Sequence, residues 1–235
     1  MLCELCGEAR PRLVVDLGSG TGLSTRWWSG RARRIVGIEP DAGMRRQAEQ
    51  ASPVRGLSYR AGTAARTGLP PGRADVVTAV QALHWFEPEA TFAEVARLLR
   101  PGGVFAAIDC DWPPLTDWRL DRLWEELFRR AIRLVKQKKV APGLHHWEKA
   151  GHLVRLRESG RFRFVKELCF ASRSRGGAAD LLRLAESQGE LALLLRLGRP
   201  EIEQPLAALR RAAARYLGDR AVPWTYAYRV RVAVV

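Results

Sequence analysis

The amino-acid sequence predicts an α/β fold in its first half and a helical region closed by two strands in its second. Two observations carry this. Residues 12–110 alternate short β-rich runs with helical stretches, the order produced by parallel strands and their crossover helices. From residue 112 onward the pattern changes to long amphipathic helices, and β-rich runs return only at 162–170 and 222–235. A chain of 235 residues can bury one sizeable core, or one core and a small cap. With no internal repeat or low-complexity linker, residues 1–235 are read as one domain with late helical insertions.

The elements follow in order. RLVVDLG (12–18) is the first strand, and LSTRWWSG leads into the first crossover helix. RIVGIEP (34–40) is the second strand, followed by the helical AGMRRQAEQA. LSYRAGT (57–63) and DVVTAVQAL (75–83) are the third and fourth strands. PEATFAEVARLLR is a helix stopped by Pro-Gly-Gly, after which VFAAIDC (104–110) is the fifth strand. Residues 116–139 place Leu120, Leu123, Trp124, Leu127, Phe128, Ala131, Leu134 and Val135 at helical spacing, a single apolar stripe. Arg122, Arg129, Arg133 and Lys136 take the opposite face. FRFVKELCF (162–170) is β-rich, two helices are expected around 178–197 and 201–217, and VPWTYAYRVRVAVV (222–235) closes the chain as a strand.

Composition narrows the function classes. No apolar run is long enough to span a bilayer, so no membrane partner is expected. MLCELCGEARPR lacks the charged-then-apolar layout of a signal peptide. The four cysteines do not form a disulfide-scaffold pattern, and a cytoplasmic protein with reduced thiols is expected. The net charge of +14 has two readings, attraction to nucleic acid or another anionic partner, and the codon bias of a GC-rich genome. Nearly all the basic residues are Arg and they are spread along the chain, which favours the second reading and makes nucleic acid the less favoured partner.

The glycine turn after the first strand carries the chemistry. Gly18-x-Gly20-x-Gly22 brings backbone N–H groups close to a ligand. It is not a phosphate-binding P-loop, because no Gly-Lys-Ser/Thr follows. It is not the dinucleotide fingerprint either, because the third glycine falls one residue early and Leu occupies position 23. Asp16 precedes the turn, where a carboxylate suits a ligand with positive charge or hydrogen-bond donors. Glu39 ends the second strand, where an acid accepts from both ribose hydroxyls. Together these ask for an adenosine-type ligand without phosphate, and S-adenosyl-L-methionine fits. The alternatives for single motifs are a ligand-free tight turn and a solvated strand end.

In order and spacing, DLGSGTG, GIEP, RAGTA, DVVTAVQALHWF and LLRPGG resemble the class I S-adenosylmethionine-dependent methyltransferases. Within that family they are similar to the small-molecule "type 11" branch, which includes trans-aconitate and quinone-pathway enzymes. The resemblance covers about 100 contiguous residues and extends to the later half only in its layout. It implies a Rossmann-like, seven-stranded, mostly parallel sheet with its last strand antiparallel beside the fifth, and helices on both faces. It also implies a cofactor-binding half at 12–110 and helical substrate-cover insertions at 111–160 and 176–218.

Family roles then fall on matching positions. Gly18 and Gly20 would pass the methionine part of S-adenosyl-L-methionine, and Asp16 would orient the turn and reach the amino group through water. Glu39 would hold the ribose, with Pro40 and Met44 beside the adenine, and Thr63 and Ala64 along its edge. The family often has an acid where Thr63 stands, so the adenine-amino contact is weaker here. Gln81 would sit at the transfer site. The reaction implied is methyl transfer to a small-molecule substrate, an anionic one included, with S-adenosyl-L-homocysteine as product.

Such transfer is an in-line displacement, and a base is needed only for an acceptor that carries a proton. His84, leaving the carboxyl edge of the sheet, is the candidate base or substrate contact, with Trp85 as a wall and Trp112 as a further substrate residue. The bland alternative for His84 and Trp85 is loop fixation and core filling. His145, His146 and Trp147 either line a pocket or mark a helix boundary, and the second is favoured. No Asp/Asn-Pro-Pro-aromatic segment follows the fourth strand, against methylation of exocyclic base amines. Cys3-x-x-Cys6 is half a zinc knuckle without its partner, and His145, His146 and His152 lack a completing carboxylate or cysteine, so no metal is expected.

Two rivals stand beside the methyltransferase reading: an RNA or protein methyltransferase using the basic surface, and a cofactor-binding protein without turnover. Homo-oligomerisation is left open. Relatives usually carry a few dozen residues before the first strand, whereas MLCELCGEARP alone precedes it here. Either the start lies upstream, or the cofactor pocket is open on that side; in the second case the cofactor should bind weakly, or a partner subunit should supply the missing cover.

Overall fold

The computed structural model describes residues 1–51, 54–137 and 146–235. Apolar runs and turn residues divide the first half into α1 (Leu2–Leu5), β1 (Leu13–Leu17), α2 (Leu23–Trp27), β2 (Arg34–Ile38), α3 (Ala42–Gln50), β3 (Leu57–Arg60), β4 (Ala74–Val80), α4 (Pro88–Leu98) and β5 (Leu99–Leu115). Then come α5 (Trp118–Gln137), α6 (His152–Glu158), β6 (Phe164–Gly176), α7 (Ala178–Glu186), α8 (Gly189–Arg196), α9 (Glu203–Tyr216) and β7 (Val222–Val234).

The strands form one seven-stranded sheet in the order β3-β2-β1-β4-β5-β7-β6. β1 runs parallel to β2 and β4, β2 to β3, and β4 to β5. β7 is inserted antiparallel: Val235 N donates to Gly103 O at the start of β5, while Trp112 near its end packs on Tyr226. The sheet is therefore the Rossmann-like, seven-stranded arrangement that the resemblance implies. The strand order reverses between β1 and β4, and in such sheets ligands bind outside the carboxyl ends of the strands at that point.

Two differences from the expected elements have local causes. β5 is longer than 104–110, beginning at Leu99 where α4 ends. The helix expected over 178–197 is two helices, α7 and α8, because Ser187 and Gly189 are weak helix formers at the break. The end of the stripe expected to 139 lies outside the described residues.

Contacts gather the chain into two compact units. The first comprises Met1–Asp109, His145–Cys169 and Arg229–Val235. Here strand side chains alternate between two faces. Val15, Leu17, Val36, Ile38, Val77 and Phe105 pack with Phe92, Val95 and Leu98 of α4. Val14, Ile35, Val76 and Val104 meet Cys6, Trp28 and Ala32 on the other side. Both faces of the central strands are thus buried, as a parallel sheet with crossovers requires.

The second unit comprises Cys110–Leu144 and Phe170–Tyr228. Its core joins Leu120, Trp124, Leu127 and Ala131 of α5 to Leu181 of α7, Leu191 of α8 and Leu209 of α9. These α5 residues are the buried members of the stripe read from the sequence. The stretch 111–160, expected as one insertion, is divided: its beginning lies in the second unit and Trp147 to Gly160 in the first.

Candidate functional site

The site grows from the end of β1. Val14, Val15 and Leu17 are fully buried, which fixes the strand and delivers the chain to the glycine turn. Gly18 and Gly20 have φ of 66° and 53°, in the left-handed region that glycine enters without a Cβ penalty. Gly18 N and Ser19 N donate to Ile38 O at 2.8 and 3.1 Å, tying the turn to the end of β2. A Cβ on Gly18 would stand 2.8 Å from Phe86 Cζ and 2.9 Å from Ala82 Cβ. A Cβ on Gly20 would meet nothing within 4 Å. Gly18 is therefore glycine for packing as well as dihedral, while the Gly20 face is open.

Asp16 is fully buried and accepts hydrogen bonds from Ser24 Oγ, Thr25 Oγ1 and Thr78 Oγ1, each at 2.7 Å. Burial raises its pKa, and the three hydroxyls oppose that shift. The side chain faces inward, joining the start of α2 to β4. It holds the base of the turn in place.

Glu39 lies at the end of β2 and is 7% exposed. Gly20 N donates to Glu39 Oε2 at 2.9 Å, and Asp41 N to Oε1 at 3.0 Å. A carboxylate has about four acceptor positions, so each oxygen retains capacity for a hydroxyl donor. Asp41 caps α3 through Met44 N at 2.7 Å, which presents Met44 at 47% exposure beside exposed Pro40. Thr63 exchanges two backbone hydrogen bonds with Arg66 at 3.1 Å and is exposed, while Ala64 is buried. Ser19 Oγ, within the turn, is buried without a hydrogen-bond partner. An open glycine face, a carboxylate with unused lone pairs and exposed apolar side chains fit an adenosine-type ligand.

At the end of β4, Gln81 has φ of 52°, a left-handed conformation that L-residues adopt at a cost of about 1–2 kcal/mol. Its N–H donates to Ile108 O at 2.8 Å, and its Oε1 accepts from Lys149 Nζ at 2.7 Å. His84 follows on a short 3₁₀ turn and is buried. Trp147 N donates to His84 O at 2.8 Å, and the His84 ring lies 5.0 Å from Trp85 and 4.8 Å from His146. Trp85 is 37% exposed. The chain around 146–149 is thus stitched to the exit of β4.

Sequence reasoning missed the group beneath His84. Asp109, at the carboxyl end of the apolar run VFAAI, is buried beside His84, Lys149 and Arg231. Arg231 is 1% exposed and donates to Asp109 Oδ2 at 2.6 Å and Glu167 Oε2 at 2.7 Å. Lys149 Nζ is 3.3 Å from Asp109 Oδ1, and His84 Nδ1 is 3.8 Å from the same oxygen. Burial pushes the Asp109 carboxyl up, but His84, Lys149, Arg231 and His152 together hold it down at about 2. His152, itself buried, is lowered to about 4 by burial, aided by Arg155 and Arg231 and against the pull of Asp109. An acid after an apolar strand, and an Arg inside the alternating YRVRVAVV, were the available signals.

Trp112 lies in the second unit, where its ring meets that of Tyr226 edge-on at 5.9 Å. His145 lies outside the described residues. Cys6 Sγ donates to Cys3 O at 3.3 Å, and all four cysteines are free thiols. Among the described residues no group of three or more His, Cys, Asp or Glu side chains is placed to hold a metal ion. No helix among them is long and apolar enough to cross a membrane.

Known proteins share this half of the chain. Residues 15–107 match the family model described as "Methyltransferase domain". A Dictyostelium discoideum protein assigned as a methyltransferase is 36% identical over 98 residues, covering 42% of this chain and 36% of its own. A trans-aconitate 2-methyltransferase of an Azoarcus strain is 38% identical over 100 residues, 40% of this chain and 37% of its own. This chain therefore matches little more than a third of the length of these relatives. The solved structure of an Anaeromyxobacter dehalogenans protein assigned to the type II methyltransferases superposes with a TM-score of 0.69 at 24% identity, over 99% of this chain and 93% of that one.

Proposed function

We propose that this chain, whose residues 15–107 match the methyltransferase-domain family model, transfers a methyl group from S-adenosyl-L-methionine to a small metabolite. The observation that carries the reading is the joining of the open Gly20 face to Glu39 through the Gly20 N to Oε2 hydrogen bond of 2.9 Å. That bond supports the reading by holding Glu39, the acid assigned here to the ribose, beside the turn assigned to the methionine part. Bound S-adenosyl-L-methionine supplies an activated methyl group on a sulfonium. The protein supplies alignment, since an in-line displacement depends on holding acceptor, methyl and sulfur in line.

In this reading Gly18 and Gly20 pass the methionine part, and Asp16 fixes the turn. Glu39 accepts from the ribose hydroxyls. Pro40 and Met44 flank the adenine, Thr63 and Ala64 border it, and Gln81 faces the transfer site. His84 and Trp85 contact the acceptor. The Lys149 ammonium, held by Gln81, favours an anionic acceptor molecule. The reaction runs in the cytoplasm and releases S-adenosyl-L-homocysteine.

The test is a screen of wild-type protein with methyl-labelled S-adenosyl-L-methionine against a metabolite extract. Label should enter a small molecule and be absent from the RNA and protein fractions. Cofactor binding by calorimetry with no transfer to any fraction would leave a binding protein and refute the enzymatic reading.

A further inference from the structure

The pair His84–Asp109 has a geometry that packing alone leaves unexplained. His84 Nδ1 is buried without a hydrogen-bond partner and faces Asp109 Oδ1 at 3.8 Å, an oxygen whose other neighbour is the Lys149 ammonium at 3.3 Å. The 3.8 Å separation is too long for a hydrogen bond and short enough for strong charge interaction in a buried setting. Buried in this way, the ring nitrogen and that oxygen both keep hydrogen-bonding capacity that is not used. Closing the gap by under 1 Å would satisfy both.

The neighbours decide which way the proton points. Asp109 Oδ2 is taken by Arg231, and Lys149 approaches Oδ1 from the Gln81 side. Arg and Lys donate only, so nothing in contact with Asp109 can accept a proton from it. Oδ1 is therefore an acceptor, and the His84 nitrogen that faces it carries hydrogen. Because Nδ1 is fully buried while the His84 side chain retains 8% exposure, the accessible part of the ring lies elsewhere. In the neutral ring the second nitrogen, Nε2, is then the proton-free one.

Resting on the methyl-transfer reading, we infer that Asp109 is a positioning residue that holds His84 as a general base, and that the methyl acceptor is a hydroxyl group. A carboxylate acceptor is already ionised at neutral pH and needs no base. A hydroxyl does. Its proton passes to His84 Nε2 as the oxygen–methyl bond forms and the sulfur–methyl bond breaks, leaving a thioether and a methyl ether. The imidazolium so formed faces the Asp109 carboxylate, which needs no proton of its own to stabilise it. The other charged or titratable groups around His84 are Lys149, His146 and His152, with Arg231 behind Asp109.

Two measurements on the wild-type protein test this. The first is a long-range proton–nitrogen NMR spectrum of the imidazoles near neutral pH, with His84→Gln used to assign one ring among the four His. His84 should show a protonated Nδ1 and a bare Nε2; the reverse tautomer would overturn the pairing, whether or not turnover is seen. The second is the chemistry of the labelled product. Its methyl should resist mild alkali and be released as methyl iodide by hot hydriodic acid, as ethers are. Alkali-labile label marks an ester, acid-resistant label an N-methyl group, and either refutes the hydroxyl acceptor. Loss of cofactor binding would fail the methyl-transfer reading instead. Asp109→Asn should lower kcat by about 10²- to 10⁴-fold and change its pH profile, with S-adenosyl-L-homocysteine affinity within about twofold of wild type.

Discussion

Replacing Gly18 and Gly20 separately by Ala should have different consequences, although both glycines belong to one turn. Each has a left-handed φ, which costs an L-residue about 1–2 kcal/mol. Gly18→Ala also drives a methyl to 2.8 Å from Phe86 Cζ and 2.9 Å from Ala82 Cβ, so that side chains or backbone must shift. Overpacking of this kind adds about 1–3 kcal/mol, for a total of roughly 2–5 kcal/mol. With about 2–4 °C of Tm per kcal/mol at this chain length, Gly18→Ala should melt roughly 4–20 °C below wild type. Gly20→Ala carries the backbone cost alone, about 1–2 kcal/mol or roughly 2–8 °C, because its methyl meets nothing within 4 Å. In the proposed site that methyl stands where the ligand passes, so S-adenosyl-L-homocysteine affinity should drop at least about tenfold, a loss of about 1.4 kcal/mol. Thermal unfolding and titration calorimetry on the purified variants read both quantities. Equal destabilisation of the two, or a Gly20→Ala protein that binds like wild type, would refute the assignment of the open face.

Three further outcomes follow from the buried charges. His152 has a folded pKa of about 4, below its ordinary 6.5, so the unfolded chain takes up its proton first as pH falls. Stability should therefore decline between about pH 6.5 and 4, by on the order of 3 kcal/mol, and His152→Asn should flatten denaturant midpoints across that window. Arg231→Met strands Asp109 and Glu167 and should cost about 3–5 kcal/mol, with partial recovery in Arg231→Lys. Asp16→Ala leaves the Ser24, Thr25 and Thr78 hydroxyls without their acceptor and should cost about 2–4 kcal/mol by chemical denaturation, more than any exposed carboxylate.

Much of the first half was legible because its physics is local. A strand entering Gly18 and Gly20 and an acid ending the next strand are neighbours in sequence that the parallel register of β1 and β2 also makes neighbours in space. The α5 stripe was readable for the same reason, since helical spacing alone decides which residues face inward. Asp109, Lys149 and Arg231 were not legible as a group. They come from β5, the segment before α6, and β7, and only the antiparallel insertion of β7 brings Arg231 to Asp109, 122 residues away. The place of Asp16 just before the glycine turn suggests an acid near the ligand, but its three hydroxyl partners, one of them from β4, turn it inward. The split at Ser187 and Gly189 was visible as weak helix formers, yet periodicity ran through it.

Titration calorimetry of S-adenosyl-L-methionine into wild-type protein and Glu39→Ala is the most direct measurement. Wild type should bind saturably at one site per chain. Loss of the proposed ribose acceptor, a charged hydrogen bond of about 1.5–3 kcal/mol, should weaken binding by about 10- to 100-fold. No binding by wild type, or equal affinity in the two proteins, would contradict a cofactor site built on the glycine turn and Glu39.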